Sequence, residues 1–224
     1  MFELYLDTAQ LADIERLATF LPLAGVTTNP TLLANGNIGL NQWLPTLIEH
    51  LGIGCRVHIQ VISNSLNGIL AEAQALHDLP YDIVVKIPAH AEGLAAIKQL
   101  KRHDITVLAT AIYNAQQGML AALHGADYLA PYLNRIDNQG GDGIGVVAEL
   151  QNLIERYCLP SKLLVASFKN VQQVMQVMKL GVGAVTLPVE IADHMLKTPA
   201  TDDAVEVFQQ DWQRVFADRL VFES

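Results

Sequence analysis

Lys86 stands inside the run Ile83-Val84-Val85-Lys86-Ile87-Pro88, whose other members would be apolar on both faces of an extended chain. An ammonium has no place in such a run unless it is paired or has lost its proton, because water is replaced there by hydrocarbon. Burial lowers a lysine pKa, and a neutral amine near pH 7 is the nucleophile that condenses with a carbonyl to give a Schiff base. The alternative is a lysine that reaches past its strand end to solvent, or one paired with a carboxylate such as Asp7. Other lysines compete poorly for this part: Lys98, Lys101 and Lys179 fall on helical stretches, Lys162 opens a strand and Lys169 follows one.

Each step of Schiff-base chemistry moves a proton, so a shuttle is needed near the amine. Tyr132, Asp7 and a water held by Gln60 and Thr110 are the candidates. Period-two geometry puts His58 on the strand face of Gln60, one layer deeper, where a core histidine is expected. Asn134-Arg135-Ile136-Asp137 and Ser167-Phe168-Lys169 are candidate anion sites: Arg135 offers a bidentate fork, and the Ser167 hydroxyl with backbone amides would complete the cradle. The alternative for Arg135 is a loop charge facing solvent or paired with Asp137. The run Gly140-Gly141-Asp142-Gly143 that follows reads as a flexible turn.

These residues share a position. Asp7, Asn29, Gln60, Lys86, Thr110, Tyr132, Ser167 and Thr186 each close or follow a short β-branched apolar run. The runs are 2–6, 25–28, 57–61, 83–87, 106–109, 128–131, 162–166 and 184–187, and segments of helical periodicity lie between them, at 64–77, 92–103, 115–124, 144–157 and 171–180. Taken singly, Asp7, Ser167 and Thr186 read as loop-entry residues that cap the next helix. Strand and helix are expected to alternate strictly, and strands apolar on both faces are expected to be parallel and covered by helices. Eight such units in about 200 residues give an α/β fold, a (β/α)8 TIM barrel, with polar strand ends gathered at one mouth. The rival, a doubly wound open sheet, would carry a glycine-rich nucleotide fingerprint after its first strand, and none is present. Residues 1–224 read as one barrel domain. After the eighth strand a helix over 189–196, a break at Thr198-Pro199 and a C-terminal helix over 201–216, capped by Thr201 or Asp202, are predicted. That helix carries Val205, Phe208, Trp212, Val215 and Phe216, a stripe to pack on its own barrel or on a neighbouring subunit.

Composition narrows the functions. Hydrophobic residues are 51% of 224 and charged residues 17%, which asks for a large core. A net charge of -9 argues against nucleic acid or an anionic membrane as partner. No run of about 18 apolar residues occurs, and Glu3 and Asp7 interrupt any leader-like start, so a soluble cytoplasmic protein with reduced Cys55 and Cys158 is expected. The seven histidines show no metal-ligand spacing, no serine-nucleophile elbow occurs, and no metal or cofactor is called for.

The segments Leu4-Tyr5-Leu6-Asp7-Thr8, Gly25-Val26-Thr27-Thr28-Asn29-Pro30, Ile83 to Pro88, Glu92-Gly93-Leu94-Ala95-Ala96, Ala130-Pro131-Tyr132-Leu133-Asn134-Arg135, Ala166-Ser167-Phe168-Lys169 and Thr186-Leu187-Pro188 span nearly the whole chain. In this order they resemble the small transaldolase-like family of class I aldolases, most closely its fructose-6-phosphate aldolase branch. The resemblance implies a Schiff base on Lys86, Asp7 and Asn29 on the hydroxyls of dihydroxyacetone, proton transfer by Tyr132 with a water on Gln60 and Thr110, and a sugar phosphate held by Arg135 and Ser167. It also implies a homodecamer of two stacked pentamers with exchanged C-terminal helices. Transaldolases tend to carry Glu and Phe where this chain has Gln60 and Tyr132, so the pair points to the aldolase branch, with transaldolase as the alternative and a non-catalytic phosphosugar-binding barrel as the second. The chain departs from the branch at His58 and Ile59, where an aromatic and then a small residue are expected.

Overall fold

The computed structural model describes residues 2–52 and 54–223. Eight parallel strands close into a barrel in sequence order: β1 (Glu3–Asp7), β2 (Leu23–Thr27), β3 (Arg56–Gln60), β4 (Ile83–Pro88), β5 (Val107–Ile112), β6 (Tyr128–Pro131), β7 (Lys162–Val165) and β8 (Ala184–Leu187). Closure is made where Glu3, Leu4, Tyr5 and Leu6 pair with Ala184, Val185, Thr186 and Leu187. The (β/α)8 reading of the sequence therefore holds, because β-branched runs that must hide both faces can do so only between helices and a filled interior.

Between strands run α1 (Leu11–Ala18), α2 (Pro30–Gly36), α3 (Leu40–Leu51), α4 (Leu66–His77), α5 (Ala91–Leu100), α6 (Ala115–Leu123), α7 (Leu133–Asn138), α8 (Gly143–Arg156), α9 (Val171–Lys179) and α10 (Val189–Leu196). Strict alternation fails in two places: α2 and α3 both follow β2, and α7 and α8 both follow β6. The expected loop at Asn134 to Asp137 is the helix α7, and the glycine turn after it ends on Asp142, whose side chain accepts from Gly145 N and caps α8. Asn29, Asn114 and Asn170 cap α2, α6 and α9 in the same way.

Period-two alternation sorts the barrel interior into layers. Tyr5, Val84, Leu108, Tyr128, Ala130, Leu164 and Ala184 form the middle layer, and His58, fully buried, meets Tyr5 and Tyr128 edge to face at 4.7 and 5.2 Å between ring centroids. Above this layer, toward the C-terminal strand ends, stand Asp7, Thr27, Lys86, Thr110 and Thr186. The strand that carries Lys86 is pinned from outside by α5. A Cβ on Gly93 would come within 1.9 Å of the Pro88 carbonyl, so only glycine permits this approach.

The chain divides into two compact units, Met1–Ala192 and Asp193–Ser224. The second contains α11 (Pro199–Phe216), which begins two residues before the predicted start at 201. The expected break between the two helices is present, falling at Lys197-Thr198, and Pro199 opens the second helix, since its missing N–H falls among the donors that a helix start leaves unbonded anyway. Within this unit Trp212 donates to the Arg219 carbonyl at 2.7 Å and packs on Phe216, while Val205, Phe208 and Val215 are exposed.

Candidate active site

A cavity of about 80 Å³ opens at the C-terminal ends of the strands, lined by Asp7, Asn29, Lys86, Tyr132, Arg135, Ser167 and Thr186 over apolar Leu108, Ala130, Leu164 and Ala166. Six of the eight residues expected to form a site are thus brought together. Thr110 stands one hydrogen bond behind them, 2.9 Å from the Tyr132 hydroxyl. Gln60 is opposite Lys86 in the β3–β4 register but is not among the lining residues.

Lys86 is 5% exposed, which disposes of the lysine that reaches solvent. Its Nζ donates to the backbone carbonyl of Thr28 at 2.5 Å, so the partner is a carbonyl and not the carboxylate of Asp7. Burial pulls the amine below the ordinary lysine range, and Asp7 opposes this by favouring the charged form. A carbonyl partner accepts from the amine in either protonation state, so it orients the nitrogen without demanding a proton on it.

Tyr132 follows β6 and begins the turn into α7. Burial raises its pKa, while its hydrogen bond with Thr110 and the charge of Arg135 pull the other way. The phenol therefore holds its proton at neutral pH and can lend and recover it. A bulge positions its partner: the β5–β6 register shifts between Ala109 and Ile112, and Ala111 takes a left-handed φ of 54°. The Ile112 carbonyl then receives the Tyr132 N–H at 3.0 Å.

Arg135 lies in the first turn of α7 with its guanidinium 4.7 Å from the centre of the Tyr132 ring. Its pKa is raised, first by a hydrogen bond with Tyr113. The pairing with Asp137 that the sequence left open is replaced: that carboxylate accepts from Gly143 N at 2.8 Å and Gln173 Nε2 at 3.0 Å. Ser167, at φ 67°, occupies the left-handed region disfavoured for a residue with a Cβ, and its carbonyl accepts from Asn134 N at 2.8 Å. Helix α7, which carries Arg135, and the loop after β7, which carries Ser167, are thereby tied together. Asn29 Oδ1 accepts from Leu32 N at 3.0 Å, and its NH2 remains as the donor end of a side chain that lines the cavity.

Sequence reasoning missed Thr27 and Tyr113. Thr27 donates to Asp7 Oδ1 at 2.7 Å, and Tyr113 stacks edge to face on Tyr132. The doublet Thr27-Thr28 in an apolar run was the available signal. His58 is the core histidine expected. Burial, then Lys86 and Arg56, hold its pKa well below the ordinary value, and neither ring nitrogen has a hydrogen-bond partner among the described residues.

A dry amine, a protonated phenol with a hydroxyl behind it, and an arginine at the rim can add an amine to a carbonyl, move its protons and hold an anion. Among the described residues no three His, Cys, Asp or Glu side chains gather as a metal site, and no helix is long and apolar enough to cross a membrane.

Solved structures with the same fold include a mandelate oxidase variant with a monooxide FMN adduct (TM-score 0.57, 14% identity over 86% of this chain) and flavocytochrome b2 with sulfite bound (TM-score 0.59, 11% identity over 84%). The chain spans 65% and 56% of their lengths, and at such identity the likeness is one of fold. The sequence pattern described as Transaldolase/Fructose-6-phosphate aldolase matches residues 4–221. With nearly its whole length matched, the chain belongs to the transaldolase/fructose-6-phosphate aldolase family, whose activities are of the class I aldolase or transaldolase type.

Proposed function

We propose that the protein is a class I aldolase that reversibly cleaves fructose 6-phosphate to dihydroxyacetone and glyceraldehyde 3-phosphate through a Schiff base on Lys86. The observation that carries this reading is an amine 5% exposed, held by a carbonyl at the base of a polar cavity. The neutral Nζ adds to the ketone carbon, and the carbinolamine loses water to give the iminium. Tyr132, acting through a water placed by Thr110 and Gln60, gives its proton to the hydroxyl that leaves the carbinolamine, and the phenolate so formed takes the proton of the C4 hydroxyl as the C3–C4 bond breaks. The electron pair of that bond passes into the enamine and the aldehyde leaves. Protonation of the enamine at C3 and addition of water then release dihydroxyacetone and restore the amine. Asp7 and Asn29 hold the donor hydroxyls; Arg135 and Ser167 take the phosphate. Transaldolase is the second reading within the family, and the phenol of Tyr132 with the amide of Gln60 favours the aldolase.

Borohydride with dihydroxyacetone tests the first step: a stable mass increment on the peptide containing Lys86 is expected, and its absence means a binder without turnover. Release of glyceraldehyde 3-phosphate from fructose 6-phosphate alone separates the activities, since dependence on added erythrose 4-phosphate would make the protein a transaldolase. We further propose that the exposed side chains of α11 are covered by a neighbouring copy of the chain in a homo-oligomer, a decamer by the family resemblance. Light scattering that gives a monomer at micromolar concentration would overturn this.

A further inference from the structure

Thr186 on β8 and Thr27 on β2 flank Asp7 of β1, both essentially without exposure to solvent. Thr27 Oγ1 lies 2.7 Å from Asp7 Oδ1 and 2.7 Å from Thr186 Oγ1. A threonine hydroxyl has one hydrogen, and a carboxylate oxygen only accepts. The Thr27 hydrogen therefore goes to Asp7, and Thr27 must meet Thr186 as an acceptor. Thr186 in turn directs its own hydrogen at Thr27, and what it offers the cavity it lines is lone pairs alone. The β8–β1 wall thus presents acceptors, Thr186 Oγ1 and the carboxylate of Asp7, while the amide of Asn29 and the guanidinium of Arg135 present donors.

The two ends of a bound ketone can be told apart by the same logic. Tyr132, Arg135 and Ser167 come from the ends of β6 and β7 and mark the side where the aldehyde and its phosphate lie. The other arm of the ketone, the one that makes no carbon–carbon bond, then falls toward β8, β1 and β2.

Resting on the Schiff-base reading above, we propose that Thr186 is a specificity-determining residue. Its hydroxyl, held as an acceptor by the chain Thr186 to Thr27 to Asp7, receives a hydrogen bond from the hydroxyl on the ketone's non-reacting arm. Dihydroxyacetone has that hydroxyl; hydroxyacetone has a methyl group in its place.

The test compares these two donors in aldol addition to glyceraldehyde 3-phosphate. Thr186→Val should raise KM for dihydroxyacetone about tenfold, the value of one lost hydrogen bond, with KM for hydroxyacetone within about twofold of the parent. Thr186→Ser should keep the parent's ratio. A part confined to bracing Asp7 predicts that Thr27→Val, which removes the direct bond to that carboxylate and keeps the Thr186 hydroxyl, shifts the donor ratio at least as much as Thr186→Val; that outcome, equal changes for the two donors, or none, overturns the proposal. Should Thr186→Val prove insoluble, Thr186→Ala reads the same ratio. Borohydride capture of dihydroxyacetone on Lys86 of the parent is scored separately: capture with an unchanged donor ratio removes Thr186 alone, and no capture removes the Schiff base and this inference together.

Discussion

At the N-terminal end of the barrel Glu3 accepts from Lys162 at 2.6 Å and from Tyr5 and Tyr128 at 3.0 Å each, whereas at the C-terminal end Lys86 has a backbone carbonyl for its partner. Arg56 continues the lower network, donating to the Tyr128 hydroxyl at 2.7 Å and to Asp82 at 3.0 Å. Burial alone would push the Glu3 carboxyl up, but the bonds from Lys162, Tyr5 and Tyr128 outweigh it and leave its pKa below the ordinary value. At Lys86 burial outweighs the opposing charge of Asp7, which is not its hydrogen-bond partner, and the pKa falls. The same fold therefore encloses charge in two ways. The closed network satisfies its members and leaves nothing to react; the open one keeps an amine short of a counter-ion and so reactive.

Lys86→Met tests the contrast where the effect is largest. Turnover should fall by at least about 10⁴-fold, because a thioether cannot form the Schiff base. The melting temperature should rise by about 2–4 °C, since the variant no longer buries an amine that water would charge. The sign follows from linkage. Between the lowered native pKa of Lys86 and the ordinary lysine value, the unfolded chain binds a proton the native one lacks, so parent stability increases with pH across that window. The variant should lose this slope, and activity of the parent should rise with pH as Lys86 gives up its proton. A variant less stable than the parent, with the slope intact, would show that Lys86 is not held short of a counter-ion.

Tyr132→Phe comes next. Loss of a positioned proton carrier should lower kcat about 10²- to 10³-fold while borohydride capture on Lys86 survives. Thr110→Val, which removes only the hydroxyl behind the phenol, should cost about tenfold. Equal losses in both variants would mean the pair acts only as scaffold.

Glu3→Gln probes the lower network and should reverse the pattern: kcat unchanged, stability down by about 2 kcal/mol, as charge-assisted bonds are lost and Lys162 is left without its partner. Because the native pKa of Glu3 is lowered, its contribution is present above the unfolded carboxyl value and is lost as pH falls through the native one. Chemical denaturation at pH 7 and pH 3 should show the parent and the variant converging at the acid end. A gap that persists at pH 3 would mean that packing, not charge, holds this end together.

How much of this was legible in the sequence divides along the same line. A polar residue that closes an apolar run is visible in one dimension, which is why Lys86, Tyr132, Asp7, Asn29 and Ser167 were found together with the strands that carry them. Thr27 was not, because threonine is an ordinary β-former and its meaning comes from Thr186, 159 positions away, across the barrel closure. The helix α7 was missed since six residues rich in Asn and Asp carry too little periodicity to overrule turn chemistry, so Arg135 was expected on a loop. Gln60 stood out by type and strand position, but its cavity role depends on a rotamer that no sequence pattern specifies.

His58 lies between the two ends, with Lys86 above it, Arg56 below, and Tyr5 and Tyr128 at its sides. If the imidazole is neutral, as burial first and the charge of Arg56 require, it belongs with the packed layer and a phenyl ring can replace it. His58→Phe should then change kcat/KM by less than about threefold and leave the acid limb of the pH profile in place, an energy of under about 0.6 kcal/mol. A charged imidazole would act differently, as a cation beneath Lys86 that disfavours the ammonium. Its removal would raise the pKa of the amine and carry the acid limb toward higher pH. That displacement, read from a kcat/KM profile for dihydroxyacetone addition, would move His58 out of the packed layer and into the machinery that keeps the lysine reactive.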